Sequence, residues 1–230
     1  MPQSQPWSRI ARHPEGSQMK MLARTMQSWL RSGAPSTFAR LFRLLYGASN
    51  VRIGSNFRCD SLPRCLIDPG AQLDIGDNVE FRSGVELRVH GKARLVIEDD
   101  VRIDRGVRIL AANESVVRIG AGARIGLYSV LNGGDCIDVG EKSLISGFVY
   151  LQSSMHRFAN SGAAIKDQGY DHGPVSLGQG AWLAAHVVIM PGRNVGANAI
   201  VGSNAVVTED VEPGMIVAGV PAKPISSSRV

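Results

Sequence analysis

The chain has 230 residues, enough for one domain and an appendage, and its formal net charge is +5. Aromatic residues make up only 6% of it, while Val, Ile, Gly and Ala abound, a composition suited to stacked β structure. No apolar run is long enough to span a bilayer and the first residues lack a signal-peptide core, so the sequence reads as cytoplasmic.

Residues 1–47 read as a basic helical extension. Arg9, Arg12, Lys20, Arg24, Arg31, Arg40 and Arg43 all fall here, with Glu15 the sole acid, so the remainder is close to neutral. One helix is expected over Met19 to Leu30, with Leu22, Met26, Trp29 and Leu30 on one face. A second follows Pro35-Ser36-Thr37, where Ser36 or Thr37 caps it. Its apolar face is Phe38, Leu41, Phe42 and Leu45, with Arg40 and Arg43 opposite. The second helix is expected to close the open end of the domain that follows. The first either packs on that domain or its oligomer or, given its charge and apolar face, makes a peripheral contact with an anionic membrane surface. An acid-poor, Arg- and Ser-rich leader also fits an organelle transit peptide. No helix-turn-helix or RNA-binding motif appears, so nucleic acid is not an expected partner.

From residue 48 to 225 a six-residue beat takes over: Ile75-Gly76, Phe81, Leu87; Ile97, Ile103, Ile109; Ile119-Gly120, Ile125-Gly126, Leu131; Val139-Gly140, Ile145, Leu151; Leu177-Gly178, Leu183, Ile189; Val195-Gly196, Val201-Gly202, Val207. Four residues after most of these comes a small or β-branched residue, such as Val79, Ala123, Ser143 or Ala205. A six-residue period fits neither an α-helix nor a heptad, but it builds a parallel β-helix. Each hexad gives one short strand, and three strands make a triangular coil. Gly, Asp or Asn near each corner permits the turn. Cys59, Cys65 and Cys136 form neither a metal spacing nor an even disulfide set, and they read as small apolar fillers in a reducing compartment.

Coil spacing locates an insertion. From Ile53 to Ile75, Ile97 and Ile119, each coil exceeds three hexads by the same four residues, as in the corner His90-Gly91-Lys92-Ala93. Val139 to Leu177 is far longer, and Leu177 to Val195 is a bare three hexads. A loop over residues 153–174 therefore interrupts the repeat, and a long loop in a regular solenoid is usually functional. Residues 226–230 form a tail.

The last third carries the most specific pattern: Gly180-Ala181-Trp182-Leu183-Ala184-Ala185-His186-Val187-Val188-Ile189-Met190-Pro191-Gly192, then Val201-Gly202-Ser203-Asn204-Ala205, then Ala218-Gly219-Val220-Pro221-Ala222-Lys223. With the hexads, it resembles the left-handed β-helix hexapeptide-repeat acyltransferases, closest to the galactoside/maltose O-acetyltransferase branch and its relatives acting on bacterial surface polysaccharides. The resemblance covers roughly residues 50 to 225. It alone implies the left hand, since parallel crossovers are otherwise right-handed. It implies acetyl transfer from acetyl-CoA to a hydroxyl, with no metal required, in a homotrimer whose sites lie between neighbouring β-helices. It places the general base at His156, at the start of the loop, and the oxyanion donor at the backbone N–H of Ala185. Trp182, Ala185, Ser203, Thr208 and Lys223 would line the coenzyme site. His186 would lie near it, while His172 would be a loop residue able to orient substrate. His13 and His90 receive no role.

One histidine suffices because a thioester is already activated. The acceptor hydroxyl must lose a proton as it attacks, an imidazole can take it near neutral pH, and a backbone N–H can hold the developing oxyanion. Two positions depart from the family pattern. Glu209 stands where relatives carry Lys, and Arg193 stands where a small or aliphatic side chain points inward. A buried unpaired arginine is costly, so Arg193 is expected to turn toward solvent, a partner subunit or an anionic ligand. The acceptor is expected to be a sugar or glycan hydroxyl, with Arg157, Asn160, Lys166, Asp167, Gln168, Tyr170 and Asp171 supplying the polar loop. The alternatives are N-acyl or succinyl transfer, or an inactive scaffold. A zinc-bound carbonic anhydrase of this fold would need a histidine pair that is absent, and an ice-facing solenoid would need rows of threonine.

Overall fold

A computed structural model describes residues 15–29, 33–47, 50–159 and 162–227. Arg9, Arg12, His13, Leu30, Arg31 and Asn160 lie outside the described residues. Two helices, α1 (Glu15–Ser28) and α2 (Ala34–Tyr46), precede a parallel β-solenoid of about seven turns. The fold is the left-handed parallel β-helix expected from the sequence.

Three parallel sheets form its sides. The first runs from Val51–Ile53 to Asn194–Val195, and the third from Arg64–Ile67 to Val206–Val207. The second begins at Arg58–Cys59 and ends in an antiparallel pair, Met215–Ala218 with Lys223–Ser227. Register follows the hexads: Ile97 pairs with Ile119, Ile103 with Ile125, and Leu131 with Leu151. These aliphatics are buried and stack into ladders along the axis. The second interior row, including Val79, Val101, Ala123, Ala181 and Ala205, is buried at the corners. Ser129 and Ser143 replace aliphatics in that row without leaving an orphan. Ser129 Oγ donates to Ser146 O at 3.0 Å, and Ser143 Oγ donates to Gly178 O at 3.0 Å.

The corners require left-handed backbone, and Asn56, Asn78, Asp100, Asn198 and Asn204 supply it, as their short polar side chains allow. The structure adds Tyr128, Phe148 and His186 at one such column, which the sequence did not flag. All variation in coil length falls where the third sheet passes to the first. The His90–Ala93 corner lies there, and so does the 153–174 insertion.

Helix α2 closes the open end. Phe42 is fully buried and its ring lies 5.4 Å from Phe57, which meets Phe81 edge-on at 5.0 Å. Two details differ from the sequence reading. The helix starts at Ala34 with Pro35 in its first turn, a position proline's fixed φ favours. Ser36 and Thr37 are therefore inside it, and Thr37 Oγ1 donates to Gly33 O at 3.0 Å instead of capping. The buried face is also rotated. Ala39 and Phe42 face the solenoid with Arg43, while Leu41 and Leu45 are exposed. The cause is the first coil's free carbonyls: Arg43 Nη1 donates to Ile53 O at 2.7 Å and Nη2 to Gly54 O. Helix α1 leaves Met19, Leu22, Met26 and Trp29 exposed. No helix among the described residues is long and apolar enough to cross a membrane.

Candidate active site

The insertion is a structured arm, not an open loop. Ser154–His156 pairs antiparallel with Tyr170–His172, and a short 3-10 turn, Ile165–Asp167, lies near its far end. Arg157 Nε binds Asp171 Oδ1 at 2.7 Å across the pair. The base of the arm is anchored by Ser153, whose Oγ donates toward Asn132 O and Asp135 O and accepts from Asp135 N–H at 2.9 Å. The arm crosses Gly134 so closely that a Cβ there would meet the Ser154 side chain. That contact explains the glycine.

His156 is exposed, and its ring centroid lies 4.3 Å from that of Tyr170. Tyr170 therefore fixes one side of the imidazole and leaves the rest accessible. His172, also exposed, sits between two clefts. One, of about 390 Å3, is lined by Met155, Asp171, His172, Met190, Arg193 and Thr208. The other, of about 320 Å3, lies among Asn113, Asn132, Gly134, Ser154, Tyr170 and His172.

Trp182, Ala185 and Ser203 gather at the opposite corner, where the second sheet turns into the third. Trp182 lies on the outer face of its strand, 42% exposed, and its Nε1–H donates to Ser146 Oγ at 3.3 Å. Ala185 N–H meets no acceptor among the described residues, because it is the first central residue of a tight turn whose second is His186 at φ +61°. Leu127, Gly147 and Ser203 occupy equivalent turns, and their N–H groups are equally free. The backbone thus offers a ladder of free donors, and what faces each rung decides its use. His186 faces outward and stacks on Phe148 at 4.9 Å with an interplanar angle of 2°. Phe148 stacks in turn on Tyr128 at 5.5 Å.

His156 and Ala185 are not brought together within one chain. They lie at opposite ends of the third sheet, separated by at least three strand residues, or roughly 10 Å. Thr208 falls on the His172 side and Ser203 on the Trp182 side. Lys223 lies in the final antiparallel pair, and its Nζ donates to Glu209 Oε1 at 2.7 Å. The two positions are therefore linked, each neutralising the other. Arg193 turns outward, its Nη1 3.7 Å from Asp210 Oδ1. Among the described residues no cluster of three His, Cys, Asp or Glu side chains could hold a metal.

Comparison with known proteins bears out the resemblance to the hexapeptide-repeat acyltransferases. A galactoside O-acetyltransferase of Escherichia coli is 31% identical over 90 residues, which are 39% of this chain and 43% of that one. A protein of Mycobacterium tuberculosis named "probable acetyltransferase" is 29% identical over 121 residues, 53% of this chain and 40% of that one. The matched segments thus span less than half the length of these curated relatives. No protein-family model matches the chain. Among solved structures, the N-acyltransferase AntD from Bacillus cereus, in complex with dTDP-4-amino-4,6-dideoxyglucose and coenzyme A, superposes with a TM-score of 0.55 at 19% identity. The match covers 78% of this chain and 84% of AntD. The polysialic acid O-acetyltransferase OatWY gives 0.54 at 19% identity, over 78% and 89%.

Proposed function

We propose that this protein transfers an acetyl group from acetyl-CoA to a hydroxyl of a sugar or glycan, at sites formed between copies in a homotrimer. The observation that carries the reading is the separation of His156 from Ala185. An exposed histidine on a rigid arm and a free amide beside an exposed indole complete each other only when the arm of one copy meets the Trp182 corner of the next. His156 then takes the proton from the attacking hydroxyl. The Ala185 N–H holds the carbonyl oxygen as its charge develops, where a preformed donor is most effective. His156 returns the proton to the departing thiolate, so the step closes without a covalent enzyme intermediate. Trp182, Ser203, Thr208 and Lys223 are the proposed coenzyme contacts. A phosphate reaching Lys223 must compete with Glu209.

The test is thiol release from acetyl-CoA against free sugars, nucleotide-sugars, amino-sugars and polysaccharide repeat units. O-acetylation of a glycan supports the reading. Transfer confined to an amine replaces it with N-acylation, and no transfer to any acceptor class leaves a scaffold. The exposed apolar face of α1, flanked by Lys20 and Arg24, is the proposed contact with an anionic membrane surface.

A further inference from the structure

The outer side of the second sheet carries a cleft of about 380 Å3 on the coils just before Trp182. Arg102, Asp104, Arg124, Leu127, Leu144 and Ser146 line it. Several other solenoid arginines are neutralised along the ladders: Arg82 by Asp60 and Glu80, Arg94 by Asp74, and Arg118 by Glu98 and Asp138. Arg124, like Arg52 and Arg105, forms no such pair among the described residues. It is exposed and its guanidinium has no acidic or hydrogen-bonding partner among the described residues. Arg102 reaches only Glu80, at 3.7 Å, and Glu80 already sits 3.2 Å from Arg82. Asp104, the one acid in the lining, has Oδ1 committed to the Arg105 N–H at 2.7 Å. The lining therefore keeps a net positive charge in a cleft with apolar walls at Leu127 and Leu144.

Its position relative to the candidate active site is fixed by register. Arg124 pairs with Leu144, which pairs with Trp182, and the Trp182 indole is bonded to Ser146 of the cleft. Arg124 is thus two coils from the Trp182–Ala185 coil, or about 10 Å along the axis. One sugar ring and its charged substituent span that separation. We propose, resting on the acyl-transfer reading, that this cleft binds an anionic group of the acceptor, with Arg124 as the specificity-determining residue. The acceptor is then an acidic or a diphosphate-linked sugar. Both present paired oxygens that a planar guanidinium engages through two parallel hydrogen bonds.

Calorimetric titration of the full chain with glucose, glucuronic acid and UDP-glucose tests this directly. One of the two anionic probes should bind at least about tenfold tighter than glucose, less so at high salt, and which one does so identifies the source of the charge. Arg124→Gln should remove the advantage, and Arg124→Lys should keep part of it, with the mass in solution unchanged in both. Equal affinity for the three probes, no binding of any, or an advantage that survives Arg124→Gln overturns the proposal. These readouts need no turnover, so their failure leaves acyl transfer standing. Intact anion binding without thiol release would sink the catalytic reading alone.

Discussion

At the scale of single residues, the arm holds two histidines with different surroundings. His156 packs against Tyr170 and lines neither of these two clefts, whereas His172 borders both. If His156 is the base, His156→Ala should lower kcat by about 10²–10⁴-fold with little change in the KM for acetyl-CoA. His172→Ala should cost less, and the reverse ranking would transfer the role to His172. Buried thiols give a separate residue-scale expectation. Burial pushes Cys59 up from 9.0 to about 12, with Asp60 adding to it. Burial does the same to Cys65, from 9.0 to about 12, with Cys59 adding to it. The folded state thus holds these protons more tightly than the unfolded chain does. Their stabilising contribution is complete below about pH 9 and is lost as the pH climbs toward 12. Melting temperature should fall across that window, and less steeply in a Cys59→Ala, Cys65→Ala variant.

At the scale of elements, the two helices separate cleanly. Phe42 joins a ring cluster that closes the solenoid, so Phe42→Ala should destabilise by about 3–5 kcal/mol in chemical denaturation. Helix α1 keeps its apolar face exposed, so removing residues 1–34 should leave the melting temperature nearly unchanged. The same truncation should abolish sedimentation with anionic vesicles, and salt should mimic that loss. Full-length protein that ignores such vesicles would end the membrane reading. The six-residue beat made the core strands from Ile75 to Val207 legible, because each inward position repeats and aliphatics fill nearly all of them; the strand Met215–Ala218, with Val217 buried, lay beyond the beat. The face of α2 was not legible. Leu41 and Leu45 look as apolar as Phe42, and only the carbonyls of Ile53 and Gly54 explain why Arg43 turns inward.

At the scale of the whole molecule, the candidate site is divided between two corners. Light scattering should give about three times the chain mass. A sharper measurement mixes two inactive proteins. His156→Ala removes the proposed base. Ala185→Pro removes the proposed donor N–H at a turn position where proline's φ is acceptable. Neither variant should turn over alone. Trimers reassembled from an equal mixture should recover about a quarter of wild-type activity, since a cyclic interface joins an intact His156 to an intact Ala185 in that share of contacts. No recovery would place both residues' work within one chain, or deny one of them a role.

The sequence by itself determined the solenoid, its strand register and the position of its one long insertion. These follow from a periodic pattern that repeats at every coil, so local spacing carries them. It also singled out His156, Trp182 and Ala185, through a motif rather than through geometry. Tertiary structure decided what depends on neighbours from distant coils. It turned the insertion into an antiparallel arm and paired Lys223 with Glu209. It stacked Tyr128, Phe148 and His186 into a column at one corner. It left Arg124 without an acid among the described residues while Arg94 and Arg118 on other coils found them. Residues some twenty positions apart become neighbours only when coils stack, and no local pattern records which side chains then meet.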